Sequence, residues 1–169
     1  KVREEVKKIM RFWLDMGVDG FREDVITYIA KTPGLPNSFP KLPVANGMKH
    51  YSNKPNAHKY LMEFKRDVLD YYDCFVVGES PTTTVDTALK YVTEGPDQVL
   101  DEMIAFEHME ADCILNDFLP RPFSLRKMKR AFSQWQTKLE GRGWAALYIE
   151  NHDHPRIISR YGSEIYRNE

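Results

Sequence analysis

The amino-acid sequence predicts an α/β fold built on a parallel sheet. Three observations carry that prediction. Apolar residues alternate between helical spacing and short continuous runs, in the order helix, strand, repeated four times. The strand runs are continuous rather than alternating, as strands covered on both faces require. Each run also gives way to ionisable residues at its C-terminal side. Helices alternating with such strands imply right-handed parallel βαβ crossovers.

The elements follow in order. Val2, Val6, Ile9, Met10 and Trp13 fall at i, i+4, i+7, i+8 and i+11, an amphipathic helical stripe that is expected to face the core. It stops at Met16-Gly17, where glycine can take a left-handed cap. An extended stretch, Val18 to Arg22, leads into Glu23-Asp24-Val25. Residues 32–58 hold five of the ten prolines and read as a long loop of functional character. Ala57, Tyr60, Leu61, Phe64 and Val68 mark a second helix. Cys74 to Val77 is the second strand, stopped by Gly78-Glu79, with Cys74 read as a packing residue. A helix near Val85–Tyr91 precedes a strand at Glu102–Phe106, which ends in Glu107-His108. Leu125, Met128, Phe132, Trp135 and Leu139 mark the last long helix. Ala145–Ile149 is the fourth strand run and opens into Glu150-Asn151-His152-Asp153.

Composition narrows the function classes. The chain has 169 residues, 24 Lys+Arg against 25 Asp+Glu, and 42% hydrophobic residues. That is enough apolar content for a core and excludes wholesale disorder. A net charge of −1 argues against a nucleic-acid partner, and no apolar run is long enough to span a membrane. Two cysteines give no disulfide framework and fit a reducing, cytoplasmic setting. The sequence opens on Lys1 as if inside a helix, so the expectation is a piece of a larger protein.

Four ionisable clusters, each at the C-terminal end of a strand run, are what the active rim of a (β/α)8 barrel is made from. They are Arg22 with Asp24, Glu79, Glu107 with His108, and Asn151-His152-Asp153 with Arg156. Spacings of 55 residues from Asp24 to Glu79 and 74 from Glu79 to Asp153 leave room for one or two βα units each. The three carboxylates can thus face one pocket. Carboxylate pairs in a pocket suit glycoside hydrolysis, one attacking or activating water and the other protonating the leaving oxygen; a third can stabilise oxocarbenium-like charge.

Gly20-Phe21-Arg22-Glu23-Asp24-Val25-Ile26 resembles the strand-four motif of the α-amylase family, glycoside hydrolase family thirteen. Val77-Gly78-Glu79 resembles its strand-five motif, and Asn151-His152-Asp153-His154-Pro155-Arg156 its strand-seven motif. The resemblance runs through nearly all of residues 1–169, and Phe106-Glu107-His108-Met109 with Gly143-Trp144 looks most like oligo-1,6-glucosidases and related α-glucosidases. It implies part of a TIM barrel, about strands four to seven, with the N-terminal barrel strands and a C-terminal β domain lying outside the chain. It makes Asp24 the nucleophile, Glu79 the general acid/base and Asp153 the transition-state stabiliser. Arg22 would orient Asp24, His152 and Arg156 would lie against the terminal glucose, and the pocket should raise the pKa of Glu79. The implied reaction is retaining, for which the two carboxyls stand about 5–5.5 Å apart. Val25 resembles the valine of members that prefer α-1,6 bonds, a β-branched wall beside the nucleophile.

The implied partner is an oligosaccharide, isomaltose-like, with no cofactor; a structural calcium, in relatives that carry one, belongs to the strands outside this chain. Related expectations on the same scaffold are a trehalose-6-phosphate hydrolase, an α-1,4-glucosidase or a glucosyltransferase. A catalytically dead relative acting as a binding subunit is the non-enzyme alternative, and retention of all three carboxylates argues against it. The isolated chain is expected to be inactive. Asn53-Lys54-Pro55, Ser80-Pro81 and His154 depart from the family's usual Asn-Gly-Pro, Met-Pro and Gln, which bears on substrate preference rather than reaction class.

Other readings are plainer. His152, Asp153 and His154 alternate in direction at a strand end and lack a compact partner set, so no metal site is expected. Glu107 and His108 suit structural hydrogen bonding as well as substrate contact. His50 and His58 read as surface or packing residues, and Trp13, Phe132 and Trp135 as core. Phe39, Tyr51 and Phe123 are the loop aromatics able to stack on sugar rings.

Overall fold

The computed structural model describes residues 1–39, 47–114, 119–163 and 165. The part of the long loop from 40 to 46 lies outside the described residues. The order is α1 (Val2–Asp15), β1 (Gly20–Glu23), α2 (Pro55–Asp67), β2 (Phe75–Glu79), α3 (Val85–Val92), β3 (Glu102–Ile104), α4 (Leu125–Leu139), β4 (Trp144–Ala146) and α5 (Ile157–Tyr161). The strands form one parallel sheet in the order β1-β2-β3-β4. Each strand lies beside its predecessor with no reversal of order, as in a segment of barrel wall and unlike a doubly wound sheet.

Register sorts the side chains into two faces, because successive residues of a strand point opposite ways. One row runs Phe21–Val76 and the next Glu23–Gly78–Met103–Ala145. This face packs under the helices: Val76 and Met103 join Leu61, Phe64, Val85, Ala88, Leu100, Trp135 and Leu139 in one core. Gly78 is required there, since a Cβ would stand 2.5 Å from Leu100 Cδ1. The opposite face carries Arg22–Val77–Glu102–Trp144 and then Glu79–Ile104–Ala146. Trp144 is 68% exposed, so this face is open.

The first helix differs from the sequence expectation. It buries Lys7, Met10 and Leu14, while Val2, Ile9, Phe12 and Trp13 are exposed. The cause is electrostatic. Lys7 Nζ lies 2.8 Å from Glu4, 2.6 Å from Glu63 and 2.7 Å from Asp67, so the side turned toward α2 is held by ion pairs. The hydrogen bond to Asp67, then that to Glu4, raises the Lys7 pKa. Trp13 is therefore not a core residue, whereas Trp135 is, and Phe132 is half-buried. Strand limits also shift. β2 runs through Gly78 to Glu79, because glycine can pack under Leu100, and β3 and β4 are shorter than their apolar runs. Among the described residues no helix is long and apolar enough to cross a membrane.

Candidate active site

The C-terminal ends of β1 and β2 are joined by one side chain. Arg22 Nη1 donates to Asp24 Oδ1 at 2.6 Å, and Arg22 Nη2 is paired with Glu79 Oε2. The planar guanidinium suits two carboxylates at once. The two acids differ in setting: the Glu79 side chain is 5% exposed and that of Asp24 71%.

Arg22 and Glu79 line a cavity of about 310 Å³ with Ile104, Tyr148, Asn151 and His152. Wider clefts of about 700 and 720 Å³ lie among helix and loop ends and touch none of Arg22, Glu79 or His152. The small cavity lies on the open face of the sheet, where the strand ends converge. Asp24 and Asp153 stand outside its lining.

The turn after β4 is held locally. Asn151 Oδ1 accepts from the Asp153 backbone N–H at 3.2 Å and lies 2.7 Å from His154 Nδ1. His152 Nε2 is 3.5 Å from Asp153 Oδ1, and both side chains are half or more exposed. Arg156 does not line the cavity: its Nη1 donates to Glu150 Oε1 at 2.5 Å, and the other Glu150 oxygen accepts from the Ile157 N–H at 2.9 Å. Those two bonds, the backbone one first, lower the Glu150 pKa.

Val25, immediately after Asp24, has φ 43° and ψ 43°. A β-branched residue in the left-handed region is strained, by about 1–3 kcal/mol, and persists only where its surroundings hold it there. The backbone then enters a tight turn, Ile26–Tyr28, whose Tyr28 N–H donates to Val25 O at 2.9 Å.

Glu107 and His108 serve the scaffold. Glu107 Oε2 accepts from the Trp135 indole at 2.5 Å. His108 is 2% exposed, packed between Phe132 and Tyr148, and burial pushes its pKa down to about 4. Tyr51 packs edge-on against Tyr28 and Phe123 stacks on Tyr161, while Phe39 is exposed. His58 Nε2 is bonded to the Asp97 carbonyl at 2.9 Å. Among the described residues no group of three His, Cys, Asp or Glu could hold a metal ion. Neither Cys74 nor Cys113 is in a disulfide among them.

Two features escaped the sequence reading. Among the described residues Glu23 Oε2 is buried without a hydrogen-bond partner, and burial raises the Glu23 pKa to about 7. Thr27, Asn53, Ser80 and Thr83 join through their side chains. The hydroxyl-rich run Ser80-Pro81-Thr82-Thr83-Thr84, directly after a strand, was the available signal for them.

A parallel sheet wound in one direction, with acids bridged at its strand ends, defines a segment of a (β/α)8 barrel. The family is specific: the sequence pattern of the α-amylase catalytic domain matches residues 1–169, and the chain belongs to that family. It is 44% identical over 167 residues to an oligo-1,6-glucosidase of Parageobacillus thermoglucosidasius, covering 97% of this chain and 30% of the relative. It is 38% identical to the trehalose-6-phosphate hydrolase of Bacillus subtilis, over 97% of this chain and 29% of that protein. The crystal structure of Bacillus licheniformis trehalose-6-phosphate hydrolase superimposes with a TM-score of 0.84 at 37% identity, over 96% of this chain and 29% of the other. The chain thus spans about 30% of the length of the curated relatives it matches.

Proposed function

We propose that this chain is the central part of the catalytic barrel of a retaining α-glucosidase, with the N-terminal strands and a C-terminal β domain supplied by the rest of the protein. The observation that carries the reading is the single guanidinium spanning Asp24 and Glu79 at adjacent strand ends. It keeps the two carboxyls close, which supports retention over the wider spacing of inverting enzymes. Asp24 attacks the anomeric carbon while Glu79 gives its proton to the leaving oxygen. The glucosyl–Asp24 ester is then hydrolysed by water whose proton returns to Glu79. Asp153 stabilises the oxocarbenium-like charge, Arg22 and His152 on the cavity wall hold the sugar, and Arg156 lies nearby, paired with Glu150.

The substrate proposed is a terminal α-1,6 glucosidic bond, as in isomaltose, with Val25 as the wall beside the nucleophile. Similarity to trehalose-6-phosphate hydrolases favours trehalose 6-phosphate as the second substrate to assay. A cytoplasmic setting belongs to the same proposal and is supported by two cysteines outside any disulfide. The isolated chain should turn over nothing, since its Trp144 face is uncovered.

The test is hydrolysis of p-nitrophenyl α-glucoside by the full-length protein. Glu79→Gln should lower kcat by about 10²–10⁴-fold, and the sugar first released should be the α anomer. Undiminished activity in that variant, or release of the β anomer, overturns the mechanism. A strong preference for maltose over isomaltose overturns the linkage.

A further inference from the structure

A closed ring of hydrogen bonds, none of whose residues lines the 310 Å³ cavity, joins three loops. Thr27 Oγ1 and Ser80 Oγ are 2.6 Å apart, and neither residue has any solvent exposure. Ser80 Oγ continues to Thr83 Oγ1, which donates to Asn53 Oδ1 at 2.7 Å. The Asn53 backbone N–H returns to the Thr27 carbonyl at 3.1 Å. An amide oxygen only accepts, so the proton order is fixed: Thr27 donates to Ser80, Ser80 to Thr83 and Thr83 to Asn53. Hydrogen bonds aligned in one direction polarise and strengthen one another.

The placement of this ring gives it meaning. Ser80 is the residue after Glu79, and Thr27 follows Asp24 across the strained Val25 turn. Asn53, itself at φ 49°, brings in the end of the long loop. A second link reinforces the first, since Thr82 Oγ1 accepts from Tyr28 at 2.9 Å and lies 2.7 Å from Ser52 Oγ. The hydroxyls therefore tie together the backbone segments that bear the two acids. Arg22 links the same acids by a different means, through their charges.

We propose that the Thr27–Ser80–Thr83–Asn53 ring is a positioning device that sets the separation and orientation of Asp24 and Glu79. This rests on the glucosidase reading of those two residues. The ring touches no sugar; it holds the Val25 turn against the segment after β2 and so defines where the nucleophile stands relative to the acid. Buried hydroxyl pairs replaced together by apolar groups of the same shape cost little stability. A purely structural ring would therefore tolerate Thr27→Val with Ser80→Ala, whereas a positioning ring would not.

The experiment uses the full-length enzyme with p-nitrophenyl α-glucoside, reading kcat, KM, the pH profile and the melting temperature of each variant. Thr27→Val should lower kcat about 10-fold with KM within about twofold, because small misplacements of reacting groups act on the chemical step. The double variant should be no worse than the single, and it should shift the limb of the pH profile that reports the acid. Thr27→Ser, which keeps the hydroxyl, should restore most of the loss. Wild-type kcat in the double variant, or a loss that follows the melting temperature and is not rescued by serine, overturns the proposal. Glu79→Gln run in parallel separates the two levels. If it is inactive while Thr27→Val is unaffected, the positioning role alone falls; if it is active, the glucosidase reading falls and the positioning role with it.

Discussion

The β1–β2 end of the site and the turn after β4 are built by opposite means. Around β1 and β2, groups far apart in sequence hold one another: Arg22 reaches Glu79 across two strands, and Thr27 meets Ser80 53 residues on. After β4, the side-chain bonds of Asn151, His152 and Asp153 stay within three residues, with His152 and Asp153 at 76% and 50% side-chain exposure, and His154 adds a ring contact with Phe106. The difference is one of preorganisation. Long-range buried bonds fix a carboxylate before substrate arrives, while a local turn on the surface leaves its carboxylate to be oriented by whatever packs over it.

Arg22→Lys tests the assembled half most directly. Lysine is a point charge on a flexible stem and cannot present a planar fork to two carboxylates. The expected result, in the full-length enzyme, is a fall of about 10²-fold or more in kcat/KM, the scale of a misplaced reacting group. A loss under threefold would mean that the bridge is incidental and that the contrast between the two halves is wrong.

How much of this was legible in the sequence follows from the same distinction. Helical and strand periodicity placed α2, α3, α4 and all four strands, because those patterns are local and the tertiary fold agrees with them. Motif residues marked the strand ends. The face of α1 was misjudged because an apolar stripe does not reveal that a lysine three residues away will be claimed by three carboxylates, two of them on another helix. The Thr27–Ser80 pair was invisible for a related reason: hydroxyl residues are common in loops, and only the fold brings these two together. Arg156 could be placed near the site by motif, but its pairing with Glu150, the first residue after the fourth apolar run, is a contact that only the structure shows.

Glu23 sharpens the comparison from the stability side. It sits on the helix-facing row with Gly78 and Met103, and its Oε2 finds no hydrogen-bond partner among the described residues. Desolvation raises its pKa from 4.5 to about 7. Below the lower value the group is neutral both folded and unfolded, so it costs nothing. As pH rises from 4.5 to about 7 the unfolded chain ionises first, and stability is lost across that window. Above it the deficit is constant at roughly 3 kcal/mol. Glu23→Met, similar in length and apolar, should therefore raise the melting temperature of the full-length protein at mildly alkaline pH. The advantage should shrink toward zero on acidification below the window. An equal gain at both ends would point to packing rather than charge.

Asn151→Ala carries the smallest expected effect and probes the other half. Its side-chain oxygen accepts the Asp153 N–H and meets the His154 ring. The bond to Asp153 is worth about 1 kcal/mol at an exposed turn, so kcat/KM should fall about fivefold, with the pH limb belonging to Glu79 unmoved. A loss as deep as that of Arg22→Lys would show the post-β4 turn to be as preorganised as the β1–β2 pair. A small loss, confined to the plateau of the profile, is what a carboxylate oriented mainly by substrate and by the covering part of the barrel requires, because its local turn then decides only how often Asp153 is already in place.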